Sequence, residues 1–113
     1  MAGLNTATFP AFIEANTEIV TPPLVPEIKL RLATEITPIW QATETELEET
    51  GIPPPFWAFC WPGGQALARH IIDNPDIVRG KSVLEFAAGG AVSGIAAARA
   101  GAASVTANDI DPI

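Results

Sequence analysis

The stretch KSVLEFAAGGAVSGIAAARAGAASVTANDIDPI, residues 81–113, decides how the rest of the chain is read. Ser82-Val83-Leu84-Glu85-Phe86 is a short run rich in strand formers, bounded by Gly80 and by the small residues that follow it. Ala87-Ala88-Gly89-Gly90-Ala91 predicts a sharp turn that leaves room for a ligand to come close. An alanine-rich helix is expected over 95–100, with Gly101 placed to end it. Residues 103–107 read as a second, buried strand that ends at Asn108-Asp109. A β-α-β unit with a small-residue first turn and an acid closing its second strand is how Rossmann-like folds hold an adenosine cofactor. The helix start offers backbone N–H groups to an anionic part of the ligand. The carboxylate of Asp109 can accept both hydroxyls of a ribose.

The spacing of the glycines bears on which cofactor this is. A dinucleotide fingerprint wants G-x-G-x-x-G, whereas Gly89 and Gly90 are adjacent and the next glycine is Gly94. A phosphate-cradling P-loop wants Lys and Ser or Thr after its last glycine, and Ile95-Ala96 stand there, so that reading fails. Glu85, near the end of the first strand, would repel a pyrophosphate but could receive the ammonium of a methionine moiety, directly or through water. On these residues S-adenosylmethionine fits better than NAD, and an NAD-dependent oxidoreductase stays open as the alternative.

Several stretches, most of them outside this unit, carry a resemblance. They are Asn16-Thr17-Glu18-Ile19-Val20, then Leu24 through Leu32 (LVPEIKLRL), then Pro55 through Leu67 (PFWAFCWPGGQAL). Asp73-Asn74-Pro75-Asp76, Val78 through Leu84 and Ala107 through Ile113 (ANDIDPI) complete them. In this order they resemble the electron-transfer-flavoprotein β-subunit lysine methyltransferases, part of the seven-strand, S-adenosylmethionine-dependent superfamily. WPGGQAL and NDIDP are far more specific than any glycine loop. The resemblance implies an α/β, Rossmann-like methyltransferase fold that stops after its second strand. Residues 1–55 are then an N-terminal extension, and residues 56–113 the first part of the cofactor-binding domain. It implies methyl transfer from S-adenosylmethionine to a protein lysine, with the electron-transfer flavoprotein β subunit as substrate. The cofactor contacts it implies are Glu85, Gly89 and Asp109, then Trp61, with Ala87 and Ala88 touching through backbone.

Two departures from the family pattern matter. The family loop reads acid-x-Gly-x-Gly-x-Gly, and here Ala87 and Ala91 replace the first and third glycines. An alanine at positive φ costs about 1 kcal/mol or more and adds a methyl group where the cofactor approaches. Family members also continue through five further strands that surround the transferred methyl group. The isolated chain is therefore expected to bind cofactor weakly and to be inactive, and no residue in it is named as a catalytic base.

Composition narrows the partners. The net charge of −7 with only six basic residues argues against nucleic acid, which needs a basic face. A single cysteine excludes an internal disulfide and suits a reducing compartment; with no basic, apolar leader the expected location is cytoplasmic. No stretch is long and apolar enough to suggest a membrane span. Apolar residues make up 48% of the chain, which argues for a packed core, although eleven prolines interrupt it.

The remaining segments read mostly as scaffold. A helix is expected over 10–17, capped by Thr8, with Phe12, Ile13 and Ile19 inward. Ile28, Leu30 and Leu32 alternate with Lys29 and Arg31, which favours a half-exposed strand, a helix being the alternative. An acidic helix over 43–50 presents Glu44, Glu46, Glu48 and Glu49, a solvated face in preference to a docking face for a basic substrate. Residues 56–61 are aromatic on both alternating sets and should be largely covered. Trp57 and Phe59 read as core; Trp61 is either core or a cover for an adenine or a sulfonium. A helix from Pro62 or Gly63 to about Asp73 would bury Ala66, Leu67 and Ile71 and turn Arg69 to water. His70 and Cys60 read as packing residues without metal or thiolate chemistry. Asp111 reads as a helix cap ahead of Pro112. A non-catalytic module pairing through its sheet edge is the other alternative.

Overall fold

The computed structural model describes residues 7–34 and 55–111, with Pro38, Glu46, Glu49 and Gly51 between them. The elements described in full are α1 (Phe9–Asn16), β1 (Glu18–Val20), β2 (Leu30–Leu32), α2 (Pro62–Asp73), β3 (Ser82–Glu85), α3 (Val92–Arg99) and β4 (Ser104–Ala107). Single 3-10 turns lie at Phe56–Ala58 and Pro75–Ile77. The acidic helix expected over 43–50 lies outside the described residues, apart from Glu46 and Glu49.

The β-α-β unit forms. β3 and β4 pair in parallel, from Ser82 opposite Ser104 to Glu85 opposite Ala107. Parallel neighbours need a crossover, and α3 provides it. Beyond the strands, Asn108 N–H donates to the Glu85 carbonyl at 2.8 Å and Ala88 N–H to the Asn108 carbonyl at 2.8 Å. These two bonds carry the pairing into the turn and hold Asp109 beside it. Gly94, Ala96 and Ala97 are the buried side of α3. Their small size lets the helix lie close on Val83 and Val105.

Only that face of the pair is covered among the described residues. Leu84 and Phe86, on the other face, are 69% and 84% exposed, and Ser104 and Thr106 are exposed beside them. The expectation of a buried second strand is corrected: in β4 Val105 alone turns toward α3, and it is half-buried.

The N-terminal segment belongs to the same core as α2 and α3. Val25, Ile28, Leu30 and Leu32 pack with Ala68 and Ile71 of α2 and with Val92 and Ala96 of α3. The alternation of Ile28, Leu30 and Leu32 inward with Lys29 and Arg31 outward is as expected. The ladder to β1 is antiparallel and spans only Leu30–Leu32, with turns before it, where Pro22, Pro23 and Pro26 offer no N–H groups.

Four expectations are corrected. α1 begins after Thr8, but the Thr8 side chain makes no capping bond. Ile19 sits on β1 and is 61% exposed, while Phe12 and Ile13 do pack against Trp57 and Ala58. The buried stripe of α2 is Gln65, Ala68 and Ile71, which leaves Leu67 51% exposed. The helix is rotated this way because Gln65 has backbone partners on the buried side. Arg69 is bound rather than free in water: it pairs with Glu27 at 2.8 Å and Asp73 at 2.8 Å.

Ile28 is 1% exposed at the centre of this shared core. Ile28→Ala is expected to lower unfolding free energy by about 3 kcal/mol in urea titrations; a loss below about 1 kcal/mol would mean that the N-terminal segment is not part of the cooperative core.

Candidate functional site

Two carboxylates organise the turn between β3 and α3. α3 has no capping side chain of its own at Ala91. Glu85 supplies one from the end of β3: its Oε2 accepts from Gly94 N–H at 2.9 Å and from the Ser93 hydroxyl. A carboxylate is favoured there by the helix dipole as well as by the two donors. Oε1 is buried with no hydrogen-bond partner. It lies so close to Gly94 that a Cβ at that position would stand 2.7 Å away, so the third glycine of the stretch makes space for Glu85.

Asp109 holds the other side of the turn. Its Oδ2 accepts from Gly89 N–H at 2.7 Å and its Oδ1 from Asp111 N–H at 3.0 Å. The Asp111 N–H, then that of Gly89, holds the Asp109 carboxyl below its usual range. It is therefore a charged acceptor at neutral pH. Asp111 contributes its backbone here, and the helix it was expected to cap falls on residues outside those described.

The turn itself is left-handed at three points: Ala87 at φ 53°, Gly89 at φ 55° and Ala91 at φ 62°. Both alanines that depart from the family's glycine pattern thus occupy the conformation that favours glycine. Gly90 has a different reason for its identity. A Cβ there would come within 3.3 Å of the Trp57 carbonyl oxygen, so the 3-10 turn at Phe56–Ala58 presses on the loop from behind.

The opposite wall is aromatic. Trp57 is buried and packs on Phe12, as expected of core. Trp61 is 53% exposed, so it is not a core residue. Its Nε1–H donates to the Phe56 carbonyl at 3.0 Å, and its ring stands edge-on to Phe56 at 6.0 Å. Phe56 is 65% exposed as well, so a segment expected to be largely covered is covered chiefly at Trp57 and Ala58. Cys60 is a free, half-buried thiol whose pKa burial raises, in keeping with an inert role. His70 is exposed and faces Asn74 at 3.3 Å.

Between these walls lies an open cavity of about 480 Å³. Trp61, Glu85, Ala87, Ala88, Gly89 and Asp109, the six residues singled out from the sequence, all line it. Its titratable lining residues are Cys60, Glu85 and Asp109. The volume is in the range of small-molecule and cofactor sites. Ser93 and Gly94 as partners of Glu85, and Trp57 as the backing of Gly90, were not foreseen. The only sequence signal for the first pair is a glycine placed nine residues after an acid. No group of three or more His, Cys, Asp or Glu among the described residues could hold a metal, and no described helix is long and apolar enough to cross a membrane.

No family model matches the chain. The human protein named electron transfer flavoprotein beta subunit lysine methyltransferase is 49% identical over 107 residues, 91% of this chain. The chain is related to the electron transfer flavoprotein beta subunit lysine methyltransferases. The zebrafish (Danio rerio) protein of that name is 50% identical over 103 residues, and a homolog from Caenorhabditis elegans is 42% identical over 96. The chain spans 38% of the human protein's length, 39% of the zebrafish protein's and 38% of the worm protein's. Kinship to methyltransferases implies a methyltransferase fold, and the described α/β elements are compatible with one.

Ala87→Gly and Ala91→Gly should each raise unfolding free energy by about 1 kcal/mol, since each relieves a left-handed alanine; no gain in either would show that the turn is not left-handed there. Asp109 makes a stabilising contribution that is present at neutral pH and is lost as pH falls through its depressed pKa. Asp109→Asn should accordingly be less stable than wild type at pH 7, with the gap closing on acidification in pH-dependent melting. A gap that stays constant with pH would contradict the charged contact.

Proposed function

We propose that this chain forms the cofactor-binding portion of an S-adenosylmethionine-dependent protein-lysine methyltransferase with a Rossmann-like fold, and that the protein substrate is the electron transfer flavoprotein beta subunit. The observation that carries this reading is the convergence of Asp109, the Gly89 turn and Trp61 on one cleft. The names of the relatives support the reaction and the substrate.

The residues fit the cofactor. Each Asp109 oxygen accepts one backbone N–H and keeps a further lone pair, so the carboxylate can still receive the two hydroxyls of a ribose. Trp61 offers an indole face fixed by its bond to Phe56, suited to an adenine or to the field of a sulfonium cation. Glu85 keeps the turn in shape from the helix side, and Ala87 and Ala88 present backbone to the cleft. The negative charge of Glu85 also lies near any ammonium group bound over the turn, although Oε2 is committed to α3 and Oε1 is buried. S-adenosylmethionine supplies an electrophilic methyl group on a positively charged sulfur, to be taken by a neutral lysine amine. The contribution of these residues is alignment and partial exclusion of water.

The same geometry disfavours a dinucleotide. A pyrophosphate would need the N-terminus of α3, and the carboxylate of Glu85 already occupies it. The reading is tested by calorimetric titration of the chain with S-adenosylhomocysteine and with NADH. Weak binding of S-adenosylhomocysteine is expected, reduced by about tenfold or more in Asp109→Ala, with NADH giving no heat of binding. NADH binding, or equal affinity in wild type and Asp109→Ala, would overturn it.

A further inference from the structure

Gln65 is a polar side chain that neither the sequence reading nor the cleft's lining singles out, and it is only 8% exposed. It lies in the first turns of α2, directly after the Trp61-Pro62-Gly63-Gly64 junction. Both ends of its carboxamide are bonded. Oε1 accepts from the Leu24 N–H at 3.2 Å, and Nε2 donates to the Cys60 carbonyl at 2.9 Å. Its backbone N–H also donates to the Trp61 carbonyl at 3.1 Å. One buried residue thus joins the aromatic wall of the cleft to a segment 41 residues earlier in the chain.

The bridge is reinforced on one side and not on the other. One helical turn on, Arg69 donates to the Leu24 carbonyl at 3.3 Å and pairs with Glu27. Leu24 is therefore gripped at both its N–H and its carbonyl, and Val25 and Ile28 behind it are buried to 0% and 1% exposure. The wall is held less firmly: Trp61 is half exposed, and its ring is fixed by one bond to Phe56 within the same short segment. Earlier in that segment Trp57 and Ala58 are buried and the Ala33 N–H donates to the Ala58 carbonyl at 2.8 Å; the Gln65 Nε2 bond at Cys60 is the side-chain tie to the anchored core next to Trp61 itself.

We propose that Gln65 is the positioning residue for the Trp61 wall of the cleft, acting through the Cys60 carbonyl and not through contact with ligand. The ligand-binding consequence rests on the cleft taking an adenosine-bearing cofactor; the bracing of Trp61 does not. A carboxamide is required because the two partners are of opposite kind, an N–H and a carbonyl. In Gln65→Glu the side chain still accepts from Leu24 but loses its donor to Cys60. In Gln65→Met both bonds are lost while the volume is kept.

The test compares both variants with Ile71→Val, a core change on the same helix away from the wall. Two readouts are taken on the whole chain: affinity for S-adenosylhomocysteine, and the Trp61 indole N–H resonance of the ligand-free protein, assigned with Trp61→Phe. Both Gln65 variants are expected to bind about fivefold more weakly or worse and to move or broaden the Trp61 resonance, while Ile71→Val leaves affinity within about twofold and the resonance in place. Wild-type affinity and an unmoved resonance in Gln65→Glu and Gln65→Met would overturn the proposal, as would an equal loss of affinity in Ile71→Val. If wild type binds no S-adenosylhomocysteine, the cofactor reading fails. The resonance then decides alone: displacement in both Gln65 variants upholds the brace, and no displacement overturns it.

Discussion

The contact on which the cleft depends is the carboxylate of Glu85 set against the start of α3. It reaches from the last residue of β3 across the turn and takes the Gly94 N–H and the Ser93 hydroxyl. That contact fixes where the helix begins, how closely it lies on the sheet and where the intervening loop must bulge. It also suits a glycine at position 94, because a Cβ there would stand 2.7 Å from Oε1 and 3.3 Å from Val105, and the carboxylate would have to shift. One side chain thereby braces the turn and places a carboxylate at the helix start.

On the far side, Asp109 is held to Gly89 by a short, charge-assisted bond, and the pairing of Asn108 with Glu85 and Ala88 brings it there. The loop between the two acids contains two alanines in left-handed conformation. Such strain persists only where the surrounding contacts over-determine the backbone, and here two carboxylates, the β3–β4 ladder and the Trp57 backbone all bear on six residues.

The core explains why the N-terminal segment and the β-α-β unit stay together. Val25 and Ile28 are buried against α2 and α3, so the aromatic wall and the glycine turn are positioned by one packed unit. The face of β3 that carries Leu84, with Phe86 beyond it, is the opposite case: an apolar surface uncovered among the described residues. Parallel strands are ordinarily covered on both faces. The chain spans 38% of the length of its human relative.

Much of this was legible because the signals were local. Residues 82–107 announced strand, turn, helix and strand through β-branched runs, small residues and Gly101, whose φ of 100° ends α3 as expected. That six named residues line one cleft was expected from the family resemblance, with Glu85 and Asp109 also marked by their places at strand ends. What was not legible depended on partners distant in sequence. The rotation of α2 follows from Gln65 bonding Leu24 and Cys60, which no periodicity reveals. The start of α3 at Val92 rather than Ile95 follows from a cap that lies on another element. Phe56 is exposed in a segment expected to be largely covered, because the 3-10 turn at Phe56–Ala58 buries Trp57 and Ala58 and turns Phe56 outward.

The central claim is that an adenosine-type ligand lies between the Asp109 turn and the Trp61 wall. It is tested most directly by mapping backbone amide shifts on titration with S-adenosylhomocysteine. The account predicts saturable shifts concentrated at Ala87, Ala88, Gly89 and Asp109, together with the Trp61 indole, and little change at Lys29 or Asp76. Shifts scattered over the surface, or none at Gly89 and Asp109 at saturating ligand, would contradict it.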